Sequence, residues 1–334
     1  MRNFIYLLSI FIVLMGCGEN EPVLKEMEPE SLRQEIRSLR KEIQGLKTLL
    51  TSKVGSIQIS AESVTNPNPK KEISKERDRA ISGAKITHMG EIGIFNESVG
   101  WTNVASAKAD TEKILKTKFA RSIKVYNDAA IGNFAKKRTA DNKLDIVITF
   151  GYFPVSLYKP GNVEQEDSIA EKFLEGGDMF VNTADYIFYV TQGGGKNGDK
   201  GLKTITDSNF DCWGADADVF KPSADGKKYV PSLPNEYNSP RPMKKSQINA
   251  DGNWEIEVSL GGTVDGEKHD PVIVRNRQTG GRFVVVRQTP KAAPDRGNVI
   301  REILENYVKK EIVPALAVDT VSKLATTWSK VKNF

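Results

Sequence analysis

The residues best placed to do chemistry fall in three short groups. Asn96, Glu97, Ser98 and Trp101 follow one apolar run, Tyr152 follows a second, and Asn182, Thr183, Asp185 and Tyr186 follow a third. Amides, acids and aromatic rings brought together suit sugar hydroxyls, which take hydrogen bonds in the ring plane and stacking on the ring faces. The same residue types also cap strands and helices, and the sequence leaves both readings open. Metal chemistry lacks its donors. His88 and His269 are too far apart for a zinc spacing. Asp211, Asp216 and Asp218 offer oxygens without the glycine and terminal acid of a calcium loop. No metal and no cofactor is expected. Cys212 reads as a small buried residue rather than a nucleophile, and the two histidines as ordinary surface or loop residues. The loop from Gly193 to Gly198 has glycines but not the spacing of a phosphate loop, and no strand leads straight into it.

These groups need strands to present them. Leu144–Phe150 is a short, β-branched, uninterrupted apolar run closed by Gly151, which predicts a strand covered on both faces, as in a parallel sheet with helices on each side. Ligands of such sheets bind beyond the carboxyl ends of the strands. Further strands are predicted at 86–95, 122–126 and 179–182, with helices at 106–119, 131–137 and 168–175 and another running from Thr183 to Tyr189. This alternation gives an α/β fold with a doubly wound, mostly parallel sheet. An alternating strand at 254–258 and a hairpin, 271–275 with 282–287 around Gly280-Gly281, are added to it. Residues 210–254 read as loop. Asn298–Ile312 is a closing helix. Val318, Val321, Leu324, Ala325, Trp328 and Val331 then form an amphipathic tail, 313–334, separated from that helix by Pro314 and expected to dock on the domain.

The 334 residues are 39% hydrophobic and 27% charged, with a net charge of +5 and no long basic run, so no nucleic-acid partner is expected. Arg2 followed by the apolar stretch Phe4–Met15 makes an export signal too short for a comfortable membrane span. Its end, Leu14-Met15-Gly16-Cys17, resembles the lipobox of bacterial lipoproteins. That resemblance implies a signal peptide at 1–17, a lipid such as palmitate on Cys17, and anchoring in the bacterial cell envelope. Gly18 in place of aspartate points to the outer membrane. Lipid on Cys17 leaves Cys212 without a disulfide partner. A polar tether, 18–29, leads to Leu32, Ile36, Leu39, Ile43, Leu46 and Leu50, the heptad seam of a coiled-coil stalk at 30–51 that would make homo-oligomers. Residues 52–84 read as a flexible linker, and 85–312 as the globular domain.

Three segments carry a second resemblance. They are Leu144–Ile148 with Gly151, Phe173–Thr183 with Gly176-Gly177, and Pro271–Arg275 followed by Gly280–Val284. In order and spacing they resemble the class I glutamine amidotransferase-like fold, in its trehalose-utilisation (ThuA-like) branch. Catalytic members of that fold put a cysteine on a strained strand-to-helix elbow, with a histidine and an acid from a late strand. Here Thr183 stands at the cysteine position, Asp185 where a small residue is expected, and Arg287-Gln288-Thr289-Pro290 supplies no histidine. The resemblance therefore implies a non-catalytic domain that binds a small polar or carbohydrate ligand or a partner protein. Two other readings compete. One is a carbohydrate hydrolase of the ThuA-like type, using Asp185 or Glu97. The other is a flavodoxin-like flavin binder, from the partial match of Ser98–Thr102 to that family's phosphate loop. Cys17→Ser is expected to release the chain from membranes or to stall it uncleaved. A processed Cys17→Ser protein that still sediments with membranes contradicts the lipid assignment.

Overall fold

The computed structural model describes residues 88–118, 122–191, 197–198, 200–214, 217–290 and 295–316. All belong to the second of two compact units, Asn68–Phe334. Cys17, the tether, the stalk, the linker, Asp216 and most of the tail lie outside the described residues.

The chain runs β1 His88–Phe95, α1 Val104–Ile114, β2 Ile123–Val125, α2 Asp128–Arg138, β3 Lys143–Thr149, α3 Ile169–Glu175 and β4 Met179–Thr183. It continues with α4 Lys200–Ile205, β5 Val219–Pro222, α5 Ala224–Tyr229, β6 Tyr237–Asn238, β7 Met243–Lys244 and α6 Lys245–Asp251. The last part is β8 Trp254–Ser259, β9 Gly261–Gly262, β10 Lys268–His269, β11 Val272–Asn276, β12 Arg282–Val286 and α7 Arg296–Glu302. Beyond α7 the chain is π-helical over Ile303–Ile312.

Seven strands form one sheet in the order β2-β1-β3-β4-β12-β11-β8. The first five are parallel, and β11 turns back antiparallel between β12 and β8. The fold is thus the expected mostly parallel α/β sheet with an added hairpin. β3 lies between β1 and β4, and every residue from Leu144 to Phe150 is fully buried. Leu144, Ile146 and Ile148 enter one core, with Ala107 and Ile114 of α1 and Val299 and Ile300 of α7. Val147 enters the other, with Ile131 and Phe134 of α2 and Phe173 of α3. Each such side chain contributes about 2 kcal/mol by leaving water.

Helix starts are set by caps. Asn103 accepts the Ser106 amide and Asn127 the Ala130 amide, so α1 and α2 begin two or three residues before the expected points. Ser168 and Glu171 form a capping box on α3. Three expectations fail. No helix follows Thr183, because Ala184 and Phe188 take left-handed backbone at φ 59° and 60°. Residues 210–254 are not loop alone: β5, β6 and β7 join β9 and β10 in a second, five-stranded sheet, with α5 and α6 alongside. Pro314 does not end the closing helix, which stays helical to Leu316. Among the described residues, no helix is long and apolar enough to cross a membrane.

At the amino ends of β3 and β4 two acids are buried together. Asp145 accepts the Glu91 amide at 2.6 Å, and its own amide donates to Asp178 Oδ1 at 2.9 Å. The carboxylate fits because Gly90 has no Cβ, which would fall 2.5 Å from its oxygens. Burial, opposed by the Glu91 amide, raises Asp145 from 3.8 to about 6. Burial raises Asp178 well above its ordinary value, opposed by the Asp145 amide. Folded-state values above unfolded ones mean stability that is complete below about pH 4 and lost as pH rises through the folded values. Asp178→Asn, which keeps the accepting oxygen without a charge, is therefore expected to flatten the fall in melting temperature as pH rises above about 4. It should stabilise the protein at the upper end of that range. A variant with the parental pH profile would show that Asp178 does not titrate in this range.

Candidate functional site

At the carboxyl ends of the strands the floor is one hydrogen-bonded unit centred on Asn182, which is fully buried. Its Oδ1 accepts from the Thr149 hydroxyl at 2.8 Å and the Gly151 amide at 3.1 Å. Its Nδ2 donates to the Asp185 carbonyl at 2.9 Å and to Gln288 Oε1 at 3.0 Å. Gln288 Oε1 also accepts the Ile187 amide at 2.9 Å, and Gln288 Nε2 donates to the Arg241 carbonyl at 2.6 Å. Asp270 accepts the Arg287 and Gln288 amides and the Ser239 hydroxyl. Burial raises the Asp270 carboxyl above its ordinary value, opposed by these hydrogen bonds.

The crevice between the loops after β1 and β3 is filled by the protein. Gly100 donates to the Phe150 carbonyl at 2.8 Å, and Trp101 to the Ala184 carbonyl at 2.6 Å. A Cβ on Gly100 would lie 2.5 Å from that of Asp185, and one on Gly151, whose φ is +97°, would lie 2.6 Å from the Ala184 carbonyl. Glycine is required at both points by the close approach.

Thr183 is fully buried, and its hydroxyl donates to the Val286 carbonyl at 2.6 Å. The residue with left-handed backbone at this turn is Ala184, whose methyl group carries no chemistry. Asp185 Oδ1 accepts the Tyr186 amide at 2.7 Å. Asn96 is buried and donates to the Thr111 hydroxyl at 2.9 Å. Glu97 is exposed, while Ser98 and Tyr152 are half-buried. Cys212 is fully buried, and burial pushes its thiol up. His269 is buried in the second sheet rather than on the surface, with Nδ1 2.7 Å from the Ser259 hydroxyl. Glu166, Glu171 and Asp207 bring carboxylate oxygens within 4.8 Å of one another. Glu171 already serves the cap of α3, and exposed acids commonly gather without an ion.

Above the floor lies an aromatic rim. Tyr186 and Tyr189 have ring centres 5.3 Å apart, and Trp213 stands 5.4 Å from the first and 6.1 Å from the second. The Arg241 guanidinium lies over Trp213 at 4.3 Å and over Trp101 at 5.2 Å. Trp213 is 37% exposed, whereas Tyr186 is buried. The rim is fixed from below: the Gly214 amide donates to the Pro240 carbonyl at 3.0 Å, and the Cys212 amide to the Tyr186 hydroxyl at 3.2 Å. Sequence reasoning found Trp101 and Tyr186 but missed Trp213, Arg241, Tyr189 and Gln288. The available signal was a large ring and a cation held in stiff turns, Trp213-Gly214 and Pro240-Arg241-Pro242. A shallow depression of about 540 Å³, lined by Lys221, Pro222, Lys227, Asn235 and Glu236, shares no residue with this rim.

Asn182→Ala leaves the partners at 149, 151, 185 and 288 with buried polar groups short of a bond. It is expected to cost about 3 kcal/mol in urea unfolding. Glu97→Ala, at an exposed position, should change stability by less than about 0.5 kcal/mol. Equal effects of the two would deny Asn182 its central place.

No family model matches the chain, and no curated protein matches it. Among solved structures, it is similar to the crystal structure of a ThuA-like protein from Bacteroides uniformis. The identity is 10% and the TM-score 0.40, over 68% of this chain and 94% of that one.

Proposed function

We propose that this chain is a lipid-anchored protein of the bacterial cell envelope, in the outer membrane. Its α/β domain holds a carbohydrate against the aromatic rim without turning it over, and the stalk at 30–51 gathers copies so that several rims act together. The observation that carries the reading is the rim itself: Trp213 is open to solvent and packed by Arg241, Tyr186 and Tyr189 at the carboxyl end of a parallel sheet. Stacking on a rigid indole suits a sugar face, and rings fixed in advance lose little freedom on binding. A non-catalytic reading is supported by the floor. The Thr183 hydroxyl is hydrogen-bonded to a carbonyl, Cys212 is sealed, and the strained position carries alanine.

The test is a titration of the full chain, in mild detergent, with a panel of neutral and acidic oligosaccharides, followed by tryptophan fluorescence. Trp213→Ala and Trp101→Ala are each expected to weaken binding about tenfold. Release of reducing ends should stay at the blank rate. If no oligosaccharide perturbs the fluorescence, the binding reading fails. If turnover appears and Thr183→Ala abolishes it, the non-catalytic reading fails.

A further inference from the structure

We infer that the sugar taken at this rim is acidic, a uronic acid or sulfated unit whose anion is bound by Arg241. This rests on the reading of the rim as a carbohydrate site and adds the charge of the ligand. Other arginines of this chain are paired with carboxylates; Arg296, by contrast, donates to the Thr289 carbonyl. Arg282 is bidentate on Glu257 at 2.6 and 3.1 Å. Arg277 meets Glu255 at 3.0 Å, and Arg138 meets Glu91 at 2.6 Å.

Arg241 has no such carboxylate among the described residues. Asp211, beside the rim, is paired instead with Lys244 at 3.7 Å. Among the described residues, the Arg241 side chain makes one hydrogen bond, from Nη1 to the Pro240 carbonyl at 2.8 Å. Nε and Nη2 meet no acceptor among the described residues, and the residue is half-buried.

Two features prepare this fork for an anion. The indoles of Trp101 and Trp213 hold the guanidinium in place, so little side-chain freedom is left to lose. Guanidinium is also weakly hydrated and planar, which matches two oxygens of a carboxylate or sulfate at a small desolvation cost. Because the cation sits against the exposed tryptophan, one ligand unit can meet both: its ring against Trp213, its anion against Arg241. A neutral sugar uses only the first contact.

The experiment is calorimetric titration of the full chain with oligomers of equal length: neutral galactan, polygalacturonate, sulfated galactan and, as a non-sugar anion, polyglutamate. At least one acidic sugar is expected to bind about tenfold tighter than the neutral one at low salt. Arg241→Gln should bring that ratio close to one. Arg241→Lys should recover only part of it, because a point charge lacks the planar fork. Preference between galacturonate and sulfated galactan identifies the anion. Gln288 bonds the main chain at Arg241, a contact that both variants keep. Equal affinity for neutral and acidic sugars, or an acidic preference that survives Arg241→Gln, overturns the charge assignment and leaves the rim reading standing. Tighter binding of polyglutamate than of either acidic sugar overturns the sugar as the ligand. Absence of binding by any sugar removes the rim reading, and this inference with it.

Discussion

The carboxyl edge of the sheet depends on the side-chain amide of Asn182. Three strand ends and the loop carrying Arg241 must be held there, and the groups that Asn182 bonds, at 149, 151, 185 and 288, lie out of water. A carboxamide is the one small side chain that brings two acceptor and two donor sites to a point. All four are used, toward residues 149, 151, 185 and 288. Aspartate would present no donor to the Asp185 carbonyl, and leucine would take one bond from each partner. Through Gln288 the same unit reaches the Arg241 carbonyl, so the aromatic rim is set by a bond network that starts inside the sheet.

That network explains why the open surface lies above the crevice and not in it. In an open α/β sheet the space between the loops after β1 and β3 ordinarily admits a ligand. Here Gly100 and Gly151 let the backbone close against residues 184 and 185. Asn182, Thr183 and Asp185 are drawn into the closure, while Glu97 stays exposed. What stays open is Trp213, with Arg241 beside it and the half-buried Trp101 on its far side. A surface of rings and one cation is suited to bind and orient a ligand.

The central strands were legible because each is a short apolar run bounded by turn residues, and β3 is the clearest case. The helix starts were misplaced because Asn103 and Asn127 look like loop residues until their amide partners are seen. The segment after Thr183 has helix-compatible composition, yet Asp185 captures the Tyr186 amide and Gln288, more than a hundred residues away, captures that of Ile187. A bond at such separation leaves no local trace. The second sheet was hidden for another reason. Several of its strands are two residues long, and one is Gly261-Gly262, so no alternation of apolar residues marks them. Trp213 and Arg241 come from the stretch holding that sheet, where only the turns Trp213-Gly214 and Pro240-Arg241-Pro242 mark them in the sequence.

The register of β3 raises a problem that its apolar residues cannot solve. A strand buried on both faces has no polar side to expose, so hydrophobicity alone does not resist a slip along its neighbour. The polar residues at its two ends do. Asp145, Val147 and Thr149 share a face, and the observed pairing sets Thr149 against Asn182 and Ile146 against Met179. In that register the Asp145 amide reaches Asp178, and the Thr149 hydroxyl reaches Asn182. A shift by one residue would turn Asp145 and Thr149 to the opposite core, among Ile92, Val181 and Val284, and leave a buried carboxyl and a buried hydroxyl without partners. Unpaired groups of that kind cost about 1–3 kcal/mol each, comparable to the whole burial of an aliphatic side chain. The acid whose burial weakens the fold at high pH is therefore also one of the two residues that hold β3 in place, and its counterpart at the other end is the first link of the network beneath the rim.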